Sequence, residues 1–395
     1  MARNQQVTVG LVGAGFVAHI HARGYARLSD MNVRVGAVTA VPLEQARALA
    51  SEYGIASVCA DYEALLARPE IDVVDLCVPN HLHAPFALAA AAAGKHIICE
   101  KPLTGYFGGE GAAEPVGATP RDVMLAGAVR SAESMVAAAE EHGVRLMYAE
   151  NWLYSPPVRR VMHLAQASKG TILEIRAQEC HSGSHAGYAM EWRTAGGGAL
   201  VRVGPHPLGT ALYIKQQEGL QRDGRPIRCR SVVAEVADVT RTRSFQAEPR
   251  KYLVEGWKDV ENWATVILTF EDNTHAIISA ADTVLGGMAD SLEVFTSTAR
   301  IVCDMSHSTL IRAYAPDPEV FADEYLAEKL ETKAGWSFPS FDEEWLLGYP
   351  QELRDFAEAV IERRPPIADG RLGLEVVRVT YAAYQSAAEG RRVML

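Results

Sequence analysis

The chain has 395 residues, of which 48% are hydrophobic and 22% charged, and its net charge at pH 7 is −11. This composition is typical of a globular protein with two domains. An acidic chain without a long Lys/Arg run is not expected to bind nucleic acid, and no apolar stretch has the length of a membrane span. The six cysteines form no C-x-x-C pair, and residues 1–6 lack the apolar stretch of a signal peptide. We therefore expect a cytoplasmic protein with reduced thiols, without disulfides or a zinc site.

Residues 1–150 alternate short apolar strands with helices, which indicates a parallel sheet covered on both faces. The predicted strands are 7–12, 33–38, 73–78, 96–99 and 145–149, and the predicted helices are 18–28, 43–53, 62–67, 83–93 and 130–142. Residues 104–127 are rich in glycine and aperiodic, which predicts a loop insertion that is either functional or a tolerated surface feature.

From residue 151 onward, strands with alternating apolar residues dominate and few helices separate them. The predicted strands are 172–179, 230–239, 263–270, 274–281, 290–296 and 299–304, and the predicted late helices are 351–361 and 372–388. This pattern predicts an α+β domain over 151–395, built on a large, mostly antiparallel open sheet. Its last helices are expected to return toward the first domain.

A glycine-rich turn separates the first strand from the first helix. It reads Gly13-x-Gly15-x-x-Ala18 and includes Phe16 and Val17. The first glycine permits a tight turn, the second lets backbone N–H groups approach a pyrophosphate, and the alanine lets the helix pack closely on the sheet. This context predicts a doubly wound α/β Rossmann domain that binds a dinucleotide.

The second strand ends at Thr39 without an acidic residue. An Asp or Glu there would hold the adenosine ribose hydroxyls, and no adjacent Arg is present to bind a 2′-phosphate. NAD is therefore favoured, NADP stays open, and Thr39 is a candidate hydroxyl contact. Pro79 and Asn80 end the third strand, where ligands of parallel sheets bind. His83 either caps the next helix or contacts the cofactor.

Several motifs in this order resemble the family of glucose-fructose oxidoreductase, inositol dehydrogenase and MocA-type proteins. They are the turn at 13–18, Val78-Pro79-Asn80-His81-Leu82-His83, Cys99-Glu100-Lys101-Pro102, Asn151, Gly196-Gly197-Gly198, Gly204-Pro205-His206 and Gly348-Tyr349-Pro350-Gln351. The resemblance covers nearly the whole chain. It implies a Rossmann domain followed by an α/β domain, whose open sheet commonly forms the interface of a homodimer or homotetramer. It also implies the NAD-dependent oxidation of a secondary alcohol of a sugar, glycoside or cyclitol, or the reverse reduction.

Alcohol oxidation needs a hydride acceptor, a base for the hydroxyl proton and a cation near the oxygen. The resemblance implies that Lys101 supplies the cation. Members of the family often have a cis peptide bond before the proline that matches Pro102. His206 is the candidate base, because an ordinary imidazole has a pKa of about 6.5. The predicted cofactor-binding residues are Gly13, Gly15, Phe16, Val17, Thr39, Pro79, Asn80, His83, Glu100 and Lys101.

Two positions depart from the family pattern. The family usually carries an Asp four residues before the candidate base and often another three residues after it, where this chain has Arg202 and Gly209. A cation at 202 would lower the pKa of nearby basic groups and could bind a carboxylate in a bidentate manner. Either the substrate is anionic, or Arg202 points away and another acid serves, with Glu150 and Glu179 as candidates.

A polar, aromatic segment precedes the glycine triplet, and such segments bind hydroxyl-rich ligands. The predicted substrate-binding residues are Asn151, Tyr154, His181, His185, Trp192, Arg202 and His206. The spacing of His181 and His185 would suit a metal on a helix, but the glycine and serine between them disfavour a helix, so no metal is expected.

Three functions stay open. The first is the dehydrogenase itself. The second is an enzyme that keeps NAD tightly bound and has no net redox change, such as an elimination, a glycoside cleavage or a sugar-to-sugar hydride transfer; the missing Asp and the 104–127 loop allow it. The third is a non-catalytic NAD-binding regulator, against which Lys101 and His206 both argue.

Overall fold

The computed structural model describes residues 6–109, 112, 114–306 and 310–395. Its strands are β1 (Val7–Val12), β2 (Val33–Thr39), β3 (Ser57–Val58), β4 (Val73–Leu76), β5 (His96–Glu100), β6 (Leu146–Ala149), β7 (Ile172–Cys180), β8 (Cys229–Ala237), β9 (Trp263–Phe270), β10 (His275–Ala281), β11 (Ala289–Thr296), β12 (Arg300–Asp304), β13 (Ala313–Ala315), β14 (Gly335–Ser337) and β15 (Val393–Met394). Its α-helices are α1 (Phe16–Ala26), α2 (Leu43–Tyr53), α3 (Tyr62–Leu66), α4 (His83–Ala92), α5 (Arg121–Glu141), α6 (Pro156–Ala167), α7 (Trp192–Ala195), α8 (Ala199–Arg202), α9 (Pro205–Asp223), α10 (Arg243–Gln246), α11 (Glu343–Leu347), α12 (Tyr349–Ile361) and α13 (Gly370–Glu389).

The chain divides into two compact units. The first comprises Met1–Gly105, Gly127–Ser155 and Gly348–Val377, and the second comprises Tyr106–Ala126, Pro156–Leu347 and Arg378–Leu395. The assignment of cofactor binding to residues 1–150, and of substrate binding and assembly to residues 151–395, stays a prediction.

The first unit is built on a parallel sheet. Among the described residues it has six strands, in the order β3-β2-β1-β4-β5-β6. The strand order reverses between β1 and β4, and ligands of such sheets bind beyond the carboxyl ends of the strands at this reversal. Strands β1, β4 and β6 are buried along their whole length, as a sheet covered on both faces requires. The predicted Rossmann fold is confirmed.

The second unit is built on a larger sheet with the order β12-β11-β7-β10-β9-β8-β15. Strands β7 and β10 run parallel, and the other neighbouring pairs run antiparallel. Helices α6 and α9 pack on this sheet. Buried and partly exposed residues alternate along β11, so one face of that strand is left partly open. The predicted α+β domain with a large, mostly antiparallel open sheet is confirmed.

Some elements differ from the predicted ones. Helix α5 begins at Arg121 instead of residue 130, which shortens the predicted loop, and residues 110, 111 and 113 of that loop lie outside the described residues. Helices α6 and α9 were not predicted. No helix in the described part of the chain has the length and apolar character needed to cross a membrane.

Candidate active site

The glycine turn after β1 has the tight form that a pyrophosphate-binding turn requires. Gly13 has a φ of +111°, and a Cβ on it would lie 2.0 Å from the carbonyl oxygen of Cys77, so only glycine fits. Its N–H donates to the Thr39 carbonyl at 2.8 Å. Gly15 is the N-cap of α1, and a Cβ on it would meet nothing within 4 Å. Open space therefore adjoins the N-terminus of α1.

The residues around this turn fit a bound dinucleotide. Among the described residues no side chain caps α1, and its first turn contains no acid, so its first N–H groups remain available to an anion. Ala18 is fully buried, which lets α1 approach the sheet, whereas Phe16 is exposed and Val17 partly exposed. Pro79 is partly exposed and Asn80 buried, both just beyond β4.

His83 connects the segments that follow β4 and β5. Its ring is buried at the start of α4, with Nδ1 2.7 Å from the Pro102 carbonyl oxygen and Nε2 2.9 Å from that of Val78. Burial lowers the pKa of His83, against the effect of these two carbonyls. A neutral ring donates through only one nitrogen, so His83 hydrogen-bonds one of these carbonyl oxygens and lies against the other.

Lys101 lies directly after β5 and is partly exposed. Its peptide bond to Pro102 is cis, as the family resemblance implied. The buried Glu100 ends β5, and its Oε2 accepts the Lys101 N–H at 3.1 Å. Its Oε1 lies 3.2 Å from His21 Nε2. The turn that carries Lys101 is thus attached to a buried acid–imidazole network.

This network was not predicted from the sequence. His21 Nδ1 lies 2.9 Å from Asp75 Oδ2, and the Tyr25 hydroxyl donates to the same oxygen at 2.8 Å. The signal that could have found it is Asp75, a charged residue inside an apolar strand, because such residues are rarely buried without a partner. Within the described part of the chain, His21, Asp75 and Cys77 also form a group whose ligand atoms lie within 4.8 Å of one another. Hydrogen bonds among the three side chains account for this spacing.

Asn151 and Tyr154 are both buried in the first unit. The Tyr154 hydroxyl donates to Asp355 Oδ2 at 2.9 Å and accepts the N–H of Ala368 at 3.0 Å. These bonds join the segment after β6 to α12 and the chain that follows it. A substrate contact stays a prediction for both Asn151 and Tyr154.

In the second unit, a carboxylate faces the candidate base. His206 lies in the first turn of α9, and its Nε2 is 3.7 Å from Oε2 of Glu179, near the end of β7; both side chains are buried. Of the two predicted substitute acids, Glu179 is therefore the one beside His206. Glu150 lies in the first unit. Burial is the largest cause that raises the pKa of Glu352 there, and the charge of Glu150 raises it further.

Arg202 is neutralised within the protein. It is buried and forms an ion pair with Asp282, the residue after β10. Its guanidinium lies over the Trp257 ring, 4.8 Å from the centroid, and His181 Nδ1 lies 3.5 Å from the other Asp282 oxygen. Burial raises the pKa of Asp282, and Arg202 opposes that rise. Arg202 thus has an internal partner for its charge, and its contact with a substrate stays a prediction. His185, by contrast, is exposed in a segment without helix.

Trp192 belongs to the core of the second unit. It is 1% exposed, and its ring packs against Tyr381 and Tyr384 with centroid separations of 6.5 and 4.9 Å. Its indole N–H donates to the Tyr106 carbonyl at 2.9 Å, and the Arg121 guanidinium lies 4.4 Å from the ring centroid. These contacts give Trp192 a packing role, and its predicted substrate contact stays a prediction.

The glycine triplet is required by the packing around it. A Cβ on Gly198 would lie 1.7 Å from the Glu261 carbonyl oxygen, and one on Gly197 would lie 2.4 Å from the Tyr384 hydroxyl. The buried Glu261 carboxylate accepts the N–H groups of Gly198 and Leu200 and the Tyr384 hydroxyl, at 3.0, 2.9 and 2.8 Å. The triplet therefore fixes the backbone that leads into α8 and α9.

Two family models match the chain. A family model described as "Oxidoreductase family, NAD-binding Rossmann fold" matches residues 7–109, and one described as "Oxidoreductase family, C-terminal alpha/beta domain" matches residues 164–395. The chain belongs to the glucose-fructose oxidoreductase, inositol dehydrogenase and MocA family. The resemblance seen in the motifs is confirmed. The chain is thus an NAD-binding oxidoreductase of this family.

Relatives of this family member match it over nearly its whole length. The uncharacterized oxidoreductase YrbE of Bacillus subtilis is 24% identical over 99% of this chain and 97% of its own. The myo-inositol 2-dehydrogenase of Thermotoga maritima is 22% identical over 98% of each chain. The crystal structure of GenD2 from gentamicin A biosynthesis in complex with NAD has a TM-score of 0.80 at 24% identity, covering 100% of this chain and 97% of that one. At this identity, the structural likeness shows the common fold.

Proposed function

We propose that this family member is an NAD-dependent dehydrogenase that oxidises a secondary alcohol of a sugar, glycoside or cyclitol, or reduces the corresponding ketone. The observation that carries the proposal is the Lys101 turn, which follows β5 in a sheet whose ligands bind at the carboxyl ends of the strands. The full-length similarity to a myo-inositol 2-dehydrogenase supports the substrate class.

Each candidate side chain has a distinct role in this reaction. NAD, when bound, supplies the hydride acceptor. The Lys101 ammonium stabilises the negative charge that develops on the substrate oxygen as its proton leaves. His206 accepts the hydroxyl proton through its imidazole, and Glu179 then stabilises the imidazolium across 3.7 Å. The proton passes to His206, and the C–H electron pair leaves with the hydride.

The substrate we propose is uncharged. Arg202 was the residue that favoured an anionic substrate, and its charge is balanced by Asp282 in a buried ion pair. A buried guanidinium that already has a carboxylate partner gains little from a second one. A neutral polyol needs hydrogen bonds instead of a counter-charge. It therefore suits the region around Arg202 better than a sugar acid or a sugar phosphate does.

The test is a screen of cyclitols, glycosides and sugar acids with NAD reduction followed at 340 nm. With the best substrate, Lys101→Ala and His206→Asn should each lower kcat by about 100-fold or more. His275→Asn is the matched control, because His275 is exposed at the start of β10. Full turnover by Lys101→Ala would remove the assigned role. Turnover without net NADH, by protein purified with NAD attached, would point instead to a reaction without net redox change.

We also propose that the partly open face of the second sheet joins copies of this chain. Ile267 on β9 is 38% exposed and pairs across the strands with Ile277 and Val233. These three residues form an apolar cross-strand row on this face, and the row continues through Arg176 and Glu293 to Val302 on β12. An exposed apolar patch rimmed by charged residues is characteristic of a surface that is covered in an assembly.

A further inference from the structure

A fully buried histidine lies between two carboxylates in the first unit. His21 is on α1, and its side chain is 0% exposed. Its Nδ1 faces Asp75 on β4 at 2.9 Å, and its Nε2 faces Glu100 on β5 at 3.2 Å. A helix and two strands of the nucleotide-binding sheet therefore meet at one imidazole ring.

The two contacts define the charge of this ring. Nδ1 is hydrogen-bonded to Asp75, whereas the 3.2 Å contact of Nε2 with Glu100 is an ion-pair distance without a hydrogen bond. Two carboxylates so close to one imidazole favour its protonated, charged form. Burial alone would lower the pKa of His21, but Asp75 and Cys77 outweigh it, and the pKa is raised well above its ordinary value. The other titratable groups near the ring are Tyr25 on α1 and Glu352 on α12. Geometry and electrostatics both favour a permanent imidazolium.

The second oxygen of Glu100 leads to Lys101. Glu100 Oε2 accepts the Lys101 backbone N–H at 3.1 Å, while Oε1 is held by His21. The carboxylate therefore bridges a fixed cation and the first peptide N–H after β5. On the opposite side, the His83 ring contacts the carbonyl oxygen of Pro102, the next residue. The backbone on both sides of the Lys101 side chain is thus held by buried groups.

We propose that His21 is a positioning residue for Lys101: from its place between Asp75 and Glu100, it fixes the carboxylate that holds the Lys101 backbone. The proposal rests on the proposed role of Lys101. If His21 becomes neutral, Glu100 loses its cation and its preferred rotamer, and the base of the Lys101 side chain is released. A displacement of about 1 Å at a reacting group can cost about 100-fold in rate.

The experiment compares His21→Gln, Glu100→Gln, Lys101→Ala and the double variant His21→Gln/Lys101→Ala. Urea unfolding and NAD titration select the variants that fold and bind cofactor. We expect His21→Gln to lower kcat by about 10- to 100-fold, with KM and the NAD dissociation constant within about twofold of the parent protein. We also expect the double variant to be no slower than Lys101→Ala, because residues that act through one group are not additive.

Two outcomes overturn the positioning role. One is an unchanged kcat in His21→Gln while Lys101→Ala is inactive. The other is an equal loss from His21→Gln whether or not Lys101 is present, which indicates a structural effect alone. Full turnover by Lys101→Ala would instead overturn the proposed function. If His21→Gln does not fold, Glu100→Gln decides by the same criteria, because it keeps the side-chain shape and removes the charge.

A measurement without turnover tests the charge itself. In protein labelled with ¹⁵N-histidine, the signals of His21 are assigned by their absence from the spectrum of His21→Gln. Both ring nitrogens should show imidazolium shifts at pH 8, where an ordinary histidine is neutral. In Glu100→Gln the ring should lose one proton and show a neutral tautomer. A neutral His21 at pH 8 in the parent protein would overturn the proposal.

Discussion

Replacing Arg202 by Met decides whether this side chain binds substrate or balances a buried charge. Arg202 and Asp282 are both buried, with side chains 7% and 0% exposed. Removing one partner of a buried pair leaves an uncompensated charge and costs about 3–5 kcal/mol. The guanidinium above Trp257 contributes about 0.5–2 kcal/mol more. We therefore expect Arg202→Met to lower the free energy of unfolding by at least about 3 kcal/mol.

The double variant isolates the pair. In Arg202→Met/Asp282→Asn neither charge remains, so most of the lost stability should return, and a double-mutant cycle in urea unfolding should give a coupling above about 2 kcal/mol. The deficit of Arg202→Met should also depend on pH. Burial raises the pKa of Asp282 in the folded protein, so the penalty is absent below the unfolded pKa of about 3.9, grows as the pH rises toward the folded value and is constant above it.

The contrary result is equally clear. Suppose that Arg202→Met unfolds within about 1 kcal/mol of the parent protein at pH 7 and raises KM for a sugar acid by more than tenfold. The guanidinium would then bind substrate, since loss of ground-state binding raises KM. The ion pair with Asp282 would contribute little, and an anionic substrate would replace the neutral polyol proposed above.

Four further substitutions test other parts of the structure. Gly13→Ala should prevent stable folding, because its Cβ would overlap a carbonyl oxygen, whereas Gly15→Ala should melt like the parent and bind NAD more weakly by titration. Burial raises the pKa of Glu352 far above its ordinary value, so stability is lost as the pH rises toward the folded value. The parent protein should lose up to about 1.4 kcal/mol of unfolding free energy per pH unit in this range, measured by urea unfolding, and Glu352→Gln should not show this loss. Ile267→Asp should dissociate the proposed assembly in sedimentation without changing the melting of the monomer; an unchanged mass would contradict the proposed interface.

The periodic segments could be predicted closely from the sequence. Helix α2 and strand β9 have the predicted bounds of 43–53 and 263–270, because their apolar spacing matches the periods of a helix and a strand. The predicted helix 130–142 begins later than α5 because Gly127 interrupts the helical pattern. A glycine inside a helix costs about 1 kcal/mol relative to Ala, which tertiary packing overcomes here. Helix α9 was missed because its opening Pro-His-Pro resembles a turn, although proline in the first helical turn is a start signal.

The residues that carry chemistry could be predicted only in part. Lys101 and His206 stand in motifs that a reader of the sequence can recognise. Their partners cannot be found this way, since Glu100 is tied to His21 across 79 positions only through the order of strands in the sheet. Trp192 stands in a polar segment of the sequence, and only the packing shows that its ring is buried.

The register of two strands explains how an Arg can replace the usual Asp beside the candidate base. Strands β7 and β10 are parallel neighbours, with Ala281 paired to Cys180, so their carboxyl ends lie at one edge of the sheet. Glu179 and Asp282 flank this pair and therefore reach the same region from adjacent strands. Asp282 takes the charge of Arg202, and Glu179 is left to face the base. One positive and two negative side chains leave one net negative charge, which is what a single Asp would supply. Glu179 can therefore give the candidate base the negative charge that the usual Asp would supply.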